Sequence, residues 1–457
     1  MKRIRDHHST LLVFLTCWLV VMLTACSALP TSGSVPTATP PASQGSTTTS
    51  QPTSQTQPMP PTSTDCPAAN SGRAAVIRTL ALGHDQILVY AYNDTAAATW
   101  RLRRYDTRTG QKTDIFTTEA GQIEDAQVSA DGQWVIFLLD FFSAIRTQAS
   151  AEIRMVRMDG QGLQTLFCFP TNELYSRFDD GSAAGKALPI GLQLSPDQKS
   201  LLFSLDTNNQ ESSIYDLKMA SGHVQQVFHV AADTLYTTSI VTWLDNSNAY
   251  LITQGRTHPA PPSTILLLNV PGALSHAKNI TTQVFSGGGR MHELSLDTSI
   301  DATRLYTDDC LLAASPFKTT ISVEPSHGGT SQSIYQPPAS ICVDEIRVIS
   351  PTTMLMLVTD RNVSTLVIQH EVWTMNVNGT AQHGLTTLTP NDSLFQTNPN
   401  SQYIWSNVSR DGSLYALQQE TNQSIEHLVY GPVNSGNVTT FATSSHNTLT
   451  LVGWTTM

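Results

Sequence analysis

Leu194-Ser195-Pro196-Asp197-Gln198-Lys199-Ser200-Leu201-Leu202-Phe203 reads as the end of one strand, a tight turn and the start of the next. Asp bonds its own backbone two residues on, and apolar runs on either side make the pair a hairpin. The unit recurs at Val128-Ser129-Ala130-Asp131-Gly132-Gln133-Trp134-Val135-Ile136-Phe137. It recurs again at Val408-Ser409-Arg410-Asp411-Gly412-Ser413-Leu414-Tyr415-Ala416-Leu417.

Around each turn a four-strand module is legible. One copy has strands near Ile123–Val128, Trp134–Leu139, Ile153–Met158 and Leu163–Phe167, with Asp159-Gly160 between the last two. The next has Ile190–Leu194, Leu201–Leu205, Ser213–Met219 and Val224–Phe228, with Ser221-Gly222 as its second turn. Weaker copies begin near Ile240, Glu293, Glu345 and Ile404. Starts lie about 44 to 67 residues apart, at or above the ~40–50 of propeller blades. A lone four-stranded sheet cannot bury both faces; stacking against neighbours in a ring does so. The expected fold is therefore all-β, a β-propeller of four-stranded blades.

The first module, Ile87–Tyr92, Thr99–Tyr105 and Lys112–Phe116, lacks a first strand. The tail from Thr448 to Thr455 reads as a first strand without successors. Pairing the two closes the ring at seven blades and removes the bare edge. Ala74–Leu80 competes for the same place, so six or eight blades remain alternatives.

These modules resemble TolB-type propeller repeats. The match is best at Val372-Trp373-Thr374-Met375-Asn376-Val377-Asn378-Gly379 through Thr386, and again over Ile153 to Leu166. The Ser-Pro-Asp turn at Ser195 is that family's other hallmark, with Gln198 where the family has Gly. The resemblance covers most of 85–443 and implies a fold, not an activity.

Upstream, Lys2, Arg3 and Arg5 precede an apolar run from Leu11 to Leu23, broken only by Thr16. It is too short to span a bilayer, which takes about 20 residues, and suits a signal peptide. It ends in Leu23-Thr24-Ala25-Cys26, which resembles the lipobox of bacterial lipoproteins. The resemblance implies a signal peptide over 1–25 and a lipid-anchored Cys26 on the outer face of the cell membrane. Of residues 27–65, 26 are Ser, Thr or Pro and one, Asp65, is charged. So little apolar surface cannot offset ordering entropy, and 26–65 is expected to be a tether before a propeller domain over 66–457.

Net charge is -11 and no basic stripe is present, which argues against nucleic acid as a partner. Past Cys26 four cysteines remain: Cys66, Cys168, Cys310 and Cys342. An oxidising compartment permits two disulfides, in any of three pairings among which spacing alone does not choose. Cys310 with Cys342 would cross a blade junction and close a loop of about 30 residues, worth ~3–4 kcal/mol in the chain-entropy model. Cys66 would then pin the start of the domain to Cys168.

No catalytic or metal residue is proposed, and no cofactor. There is no Gly-x-Ser-x-Gly. His292-Glu293 and His370-Glu371 lack a second histidine at zinc-helix spacing. Asp131, Asp197 and Asp411 read as turn residues. Asp179-Asp180 and Asp308-Asp309 read as solvated loop carboxylates. The longer connections 140–151, 169–189 and 254–263 are candidates for recognition; Phe141 and Phe142 read as the end of a strand. The expected role is a non-enzymatic binding or scaffold module for an envelope protein, peptide or glycan. The alternative is a secreted propeller enzyme acting on polysaccharide, a lyase or glycosidase.

Overall fold

In a computed structural model the chain divides into two compact units, 1–57 and 58–457. The structure describes residues 66–67, 80, 83–84, 86–141, 151–169, 188–206, 212–230, 236–255, 263–287, 292–311, 318–362, 367–387, 392–393, 408–421, 425–445 and 448–455, all within the second unit. They form seven antiparallel four-stranded sheets. Strands a to d of blade I are Leu449–Thr455, Ile87–Asp94, Thr99–Asp106 and Lys112–Thr118. Blade II is Gln122–Val128, Trp134–Asp140, Ala151–Arg157 and Gln164–Phe169. Blade III is Leu188–Leu194, Ser200–Asp206, Ser212–Lys218 and Val224–Val230. Blade IV is Tyr236–Trp243, Asn248–Gly255, Thr264–Asn269 and Thr281–Ser286. Blade V is His292–Thr298, Arg304–Leu311, Lys318–Pro325 and Gln332–Tyr335. Blade VI is Ile341–Val348, Thr353–Asn362, Val367–Asn376 and His383–Thr387. Blade VII is Asp392–Ser393, Leu414–Thr421, Ile425–Pro432 and Thr439–Ser445.

The C-terminal strand pairs with Ile87–Asp94, from Ile87 opposite Thr455 to Tyr92 opposite Leu449. The tail therefore completes the N-terminal blade, and the blade number is seven. Its rival, 74–80, lies outside the described residues except Leu80, whose N–H donates to Gln133 Oε1 at 2.7 Å. In blade VII Asp392–Ser393 pairs with Glu420 and Thr421 on the edge of Leu414–Thr421 where the sequence places 404–408; of that expected strand only Val408 is described, and it bridges Tyr415 on the same edge.

Closure is visible in the core. One apolar cluster fills each of the seven junctions between neighbouring blades. Period-2 alternation supplies both sides: in blade II, Val135, Phe137 and Leu139 face blade I, while Ile136 and Leu138 face blade III. The last junction joins Ala416, Leu428 and Phe441 of blade VII to Leu88, Tyr90, Leu451 and Trp454 of blade I.

A second device recurs in every outer strand. The c–d register slips by one residue in all seven blades, leaving Ile115, Leu166, Val227, Val284, Ile334, Leu385 and Phe441 as the extra residue. Such bulges twist an edge and blunt it against further pairing. They also form a joint. A Cβ on Gly379, in the c–d turn of blade VI, would lie 1.9 Å from the carbonyl oxygen of Ile334, the bulged residue of blade V. Gly160 approaches Ile115 in the same way. Blade IV departs from the pattern: Val270–Leu274 forms a helical turn between strands c and d, with Asn269 capping Gly272 N–H.

Candidate functional site

The a–b and c–d turns share one end of the blades; the b–c and d–a connections share the other. On the turn face one side-chain pattern repeats. Ser129 Oγ donates to Asp131 Oδ1 (2.6 Å) and accepts from Trp134 N–H (2.9 Å). Ser195 and Asp197, and Ser409 and Asp411, do the same. These aspartates are turn residues, as read from the sequence. A fourth copy, Ser299-Ile300-Asp301, was hidden because Ala302 stands in the glycine position; its geometry matches, with Ser299 Oγ to Asp301 Oδ1 at 2.6 Å. The residue after each Asp has positive φ: Gly132 71°, Gln198 61°, Ala302 55° and Gly412 69°.

Where strands a converge, the turn face holds a cavity of about 340 Å³. Blades I, II, V, VI and VII line it, with Trp454, Gln127, Ile300, Ile349 and Arg410 among the lining residues. Arg410 is the one ionisable side chain among its described lining residues. Its guanidinium crosses to blade II and donates to the carbonyls of Ser129 (2.8 Å) and Ala130. Asp411 sits beside it. Burial raises its carboxyl, but hydrogen bonds from Ser409, Ser413 and Gln86 outweigh that and hold it at about 2.

At two junctions, between blades II and III and between blades V and VI, side chains of one strand a bond the backbone of the next. Asp125 Oδ2 and Gln127 Oε1 accept from the N–H groups of Leu192 (2.9 Å) and Leu194 (2.7 Å). Ser295 Oγ and Asp297 Oδ2 accept from Ile346 (3.2 Å) and Val348 (2.7 Å). Burial pushes the Asp125 carboxyl up to about 7 despite these bonds. Such bonds hold neighbouring blades in register.

The opposite, loop-bearing end carries both disulfides. Cys66 joins Cys168, with Cα atoms 5.7 Å apart, and Cys310 joins Cys342 at 5.6 Å. Cys310 lies within strand b of blade V and Cys342 within strand a of blade VI, so the second bridge crosses a junction. Glu152 lies close enough to Cys66 and Cys168 to suggest a three-ligand metal group. The sulfurs are bonded to each other, however, and Glu152 pairs with Arg154 at 2.6 Å, so no open ligand set results.

One expectation needs correction. Asp308-Asp309 is not a solvated loop: it lies in strand b of blade V, where Asp308 is fully buried and accepts from Ser295 Oγ. Phe141 is buried just past its strand. Cys26, Phe142, Asp179 and Asp180 lie outside the described residues, as does most of the three long connections. Both His-Glu pairs fall on strands, His292-Glu293 in blade V and His370-Glu371 in blade VI.

No protein-family model matches the chain, and no curated protein matches it by sequence. Solved structures do match by shape. An oligogalacturonate lyase in complex with manganese aligns with a TM-score of 0.50 at 8% identity, over 75% of this chain and 91% of the lyase. A prolyl endopeptidase aligns at 0.49 and 10%, over 82% of this chain and 50% of its own. A protein assigned as TolB from Agrobacterium tumefaciens aligns at 0.37 and 13%, over 66% and 89%. The chain thus spans about half the length of the endopeptidase it matches. At these identities the likeness concerns fold alone: a seven-bladed β-propeller.

Proposed function

We propose that this propeller is a lipid-anchored, extracytoplasmic binding or scaffold module at the bacterial cell surface, engaging a protein, peptide or glycan through its turn face. The observation that carries the binding role is the mouth cavity, to which five blades contribute and whose described lining sets apolar side chains beside Gln127, Ser409 and one ionisable group, Arg410. Acid–base work calls for several convergent titratable groups; a lining of this kind suits recognition. The address rests on Leu23-Thr24-Ala25-Cys26 at the end of a signal-like run. Two disulfides suit a compartment outside the cytosol.

Expression of the full chain in a bacterium tests the anchor. Mass analysis of the mature N-terminus should find a diacylglyceryl group on Cys26, and Cys26→Ser should release the protein from the membrane. An unmodified Cys26 in the soluble fraction would end that part of the reading. The rival, a polysaccharide lyase, draws on the shape likeness to the manganese-bound enzyme. Incubation with polygalacturonate and manganese, followed by the ultraviolet absorbance of unsaturated products, separates the two. Turnover would replace the binding role with an enzymatic one.

A further inference from the structure

The mouth cavity does not stop at the channel. A second cavity, of about 490 Å³, shares Ile349 and Gly412 with it and runs outward between blades VI and VII. Thr374 and His383, the facing ends of strands c and d in blade VI, form its outer part with Asn434 of blade VII. The two adjoin at Ile349 and Gly412, and taken together they define a radial trough on the turn face. From strand a to strand d is three inter-strand spacings, ~14 Å, which is about four residues of extended chain at ~3.4 Å each.

We propose that this trough is the binding site for an extended peptide that carries a lysine or arginine. The proposal rests on the binding role given above and adds the site and the occupant. Three observations carry it. Ile300 at the inner rim is 62% exposed, one of two exposed large hydrophobic side chains among the described residues. A bare isoleucine beside a cavity is a ready contact for an apolar side chain. Next, the outer part is lined by Thr374 and Asn434, whose hydroxyl and amide are groups that can bond a peptide backbone. Finally, charge complementarity selects the side chain. Asp411 borders the trough and keeps its charge far below neutral pH. The neighbouring Arg410 is drawn to the other side of the mouth by the Ser129 and Ala130 carbonyls.

The test uses the full chain at pH 8, where histidine is neutral. Three pools of fluorescent hexapeptides are titrated, with Lys, Ala or Glu fixed at the third position and mixed residues elsewhere. The Lys pool should bind about two- to fivefold more tightly than the Glu pool, the ratio one exposed ion pair gives. Asp411→Asn, which keeps the acceptor oxygen that closes its turn, should remove that preference. Ile300→Ser, at an exposed site that leaves the core intact, should weaken all three pools alike. A photocrosslinking residue at Asn434 should label bound peptide, and one at the exposed Thr95 should not. Equal binding of the three pools, or binding unchanged by Ile300→Ser, overturns the proposal. So does crosslinking of a glycan at position 434. An envelope protein retained by wild type and by Ile300→Ser alike would leave the binding role standing while removing this trough from it.

Discussion

Glu324 is the most exacting place to test the packing between blades. It lies in strand c of blade V, is 4% exposed, and its Oε1 has no hydrogen-bond partner among the described residues. Burial pushes its carboxyl from an ordinary 4.5 up to about 7. Between those two pH values the folded protein binds more protons than the unfolded chain. Stability contributed by neutral Glu324 is therefore full below about 4.5 and falls as pH rises through 7. A tenfold difference in proton affinity between the folded and unfolded states is worth ~1.4 kcal/mol, so the loss approaches roughly 3 kcal/mol by pH 8. Glu324→Gln keeps the volume and cannot ionise. Urea unfolding followed by tryptophan fluorescence at pH 5, 6.5 and 8 reads the difference between the two proteins. The gap should be small, within about 1 kcal/mol, at pH 5 and should grow to about 2–3 kcal/mol in favour of the variant at pH 8. Asp125, which burial also raises to about 7, titrates in both proteins and cancels from the difference. A gap that stays constant with pH, or a variant that loses ground as pH rises, would refute the reasoning.

Two other substitutions probe the repeated joints. Gly379→Ala places a methyl 1.9 Å from the Ile334 carbonyl, at a φ of 84°, and should cost about 3 kcal/mol or more, read as a drop in Tm. Gln198→Gly relieves a left-handed residue at φ 61° where blades II and VII carry glycine, and should stabilise by about 0.5–1 kcal/mol in the same assay.

The fold was legible because its two strongest signals are local. Ser195 and Asp197 close a turn within six residues, and the strands beside them alternate or run apolar. Closure was legible from an imbalance: a first module lacking strand a and a tail lacking everything else. What escaped depended on neighbours in space. The bulged residues Ile115, Val227 and Val284 each precede a phenylalanine, a pattern that means little until the glycine turn of the next blade is seen resting on Ile115. Asp308-Asp309 looked solvated because two adjacent acids rarely share a core. In a strand they point to opposite faces, which let one be buried against Ser295 while its neighbour stayed partly open. Ser299-Ile300-Asp301 was missed since Ala302 hides the turn, and with it went the exposed isoleucine of the trough. The cavity itself is assembled from five blades, and no single stretch of chain announces it.

The ring is tested most directly by joining its two ends. Ala91 and Thr450 face each other across the closing sheet of blade I. With Ala91→Cys and Thr450→Cys together, mild oxidation of the folded protein should form a bridge between these positions. Peptide mapping would find it, and it should be absent after unfolding before oxidation. Quantitative crosslinking is the outcome of a seven-bladed ring closed by its own C-terminus. Folded protein in which the two cysteines stay free, or pair only between molecules, would contradict it.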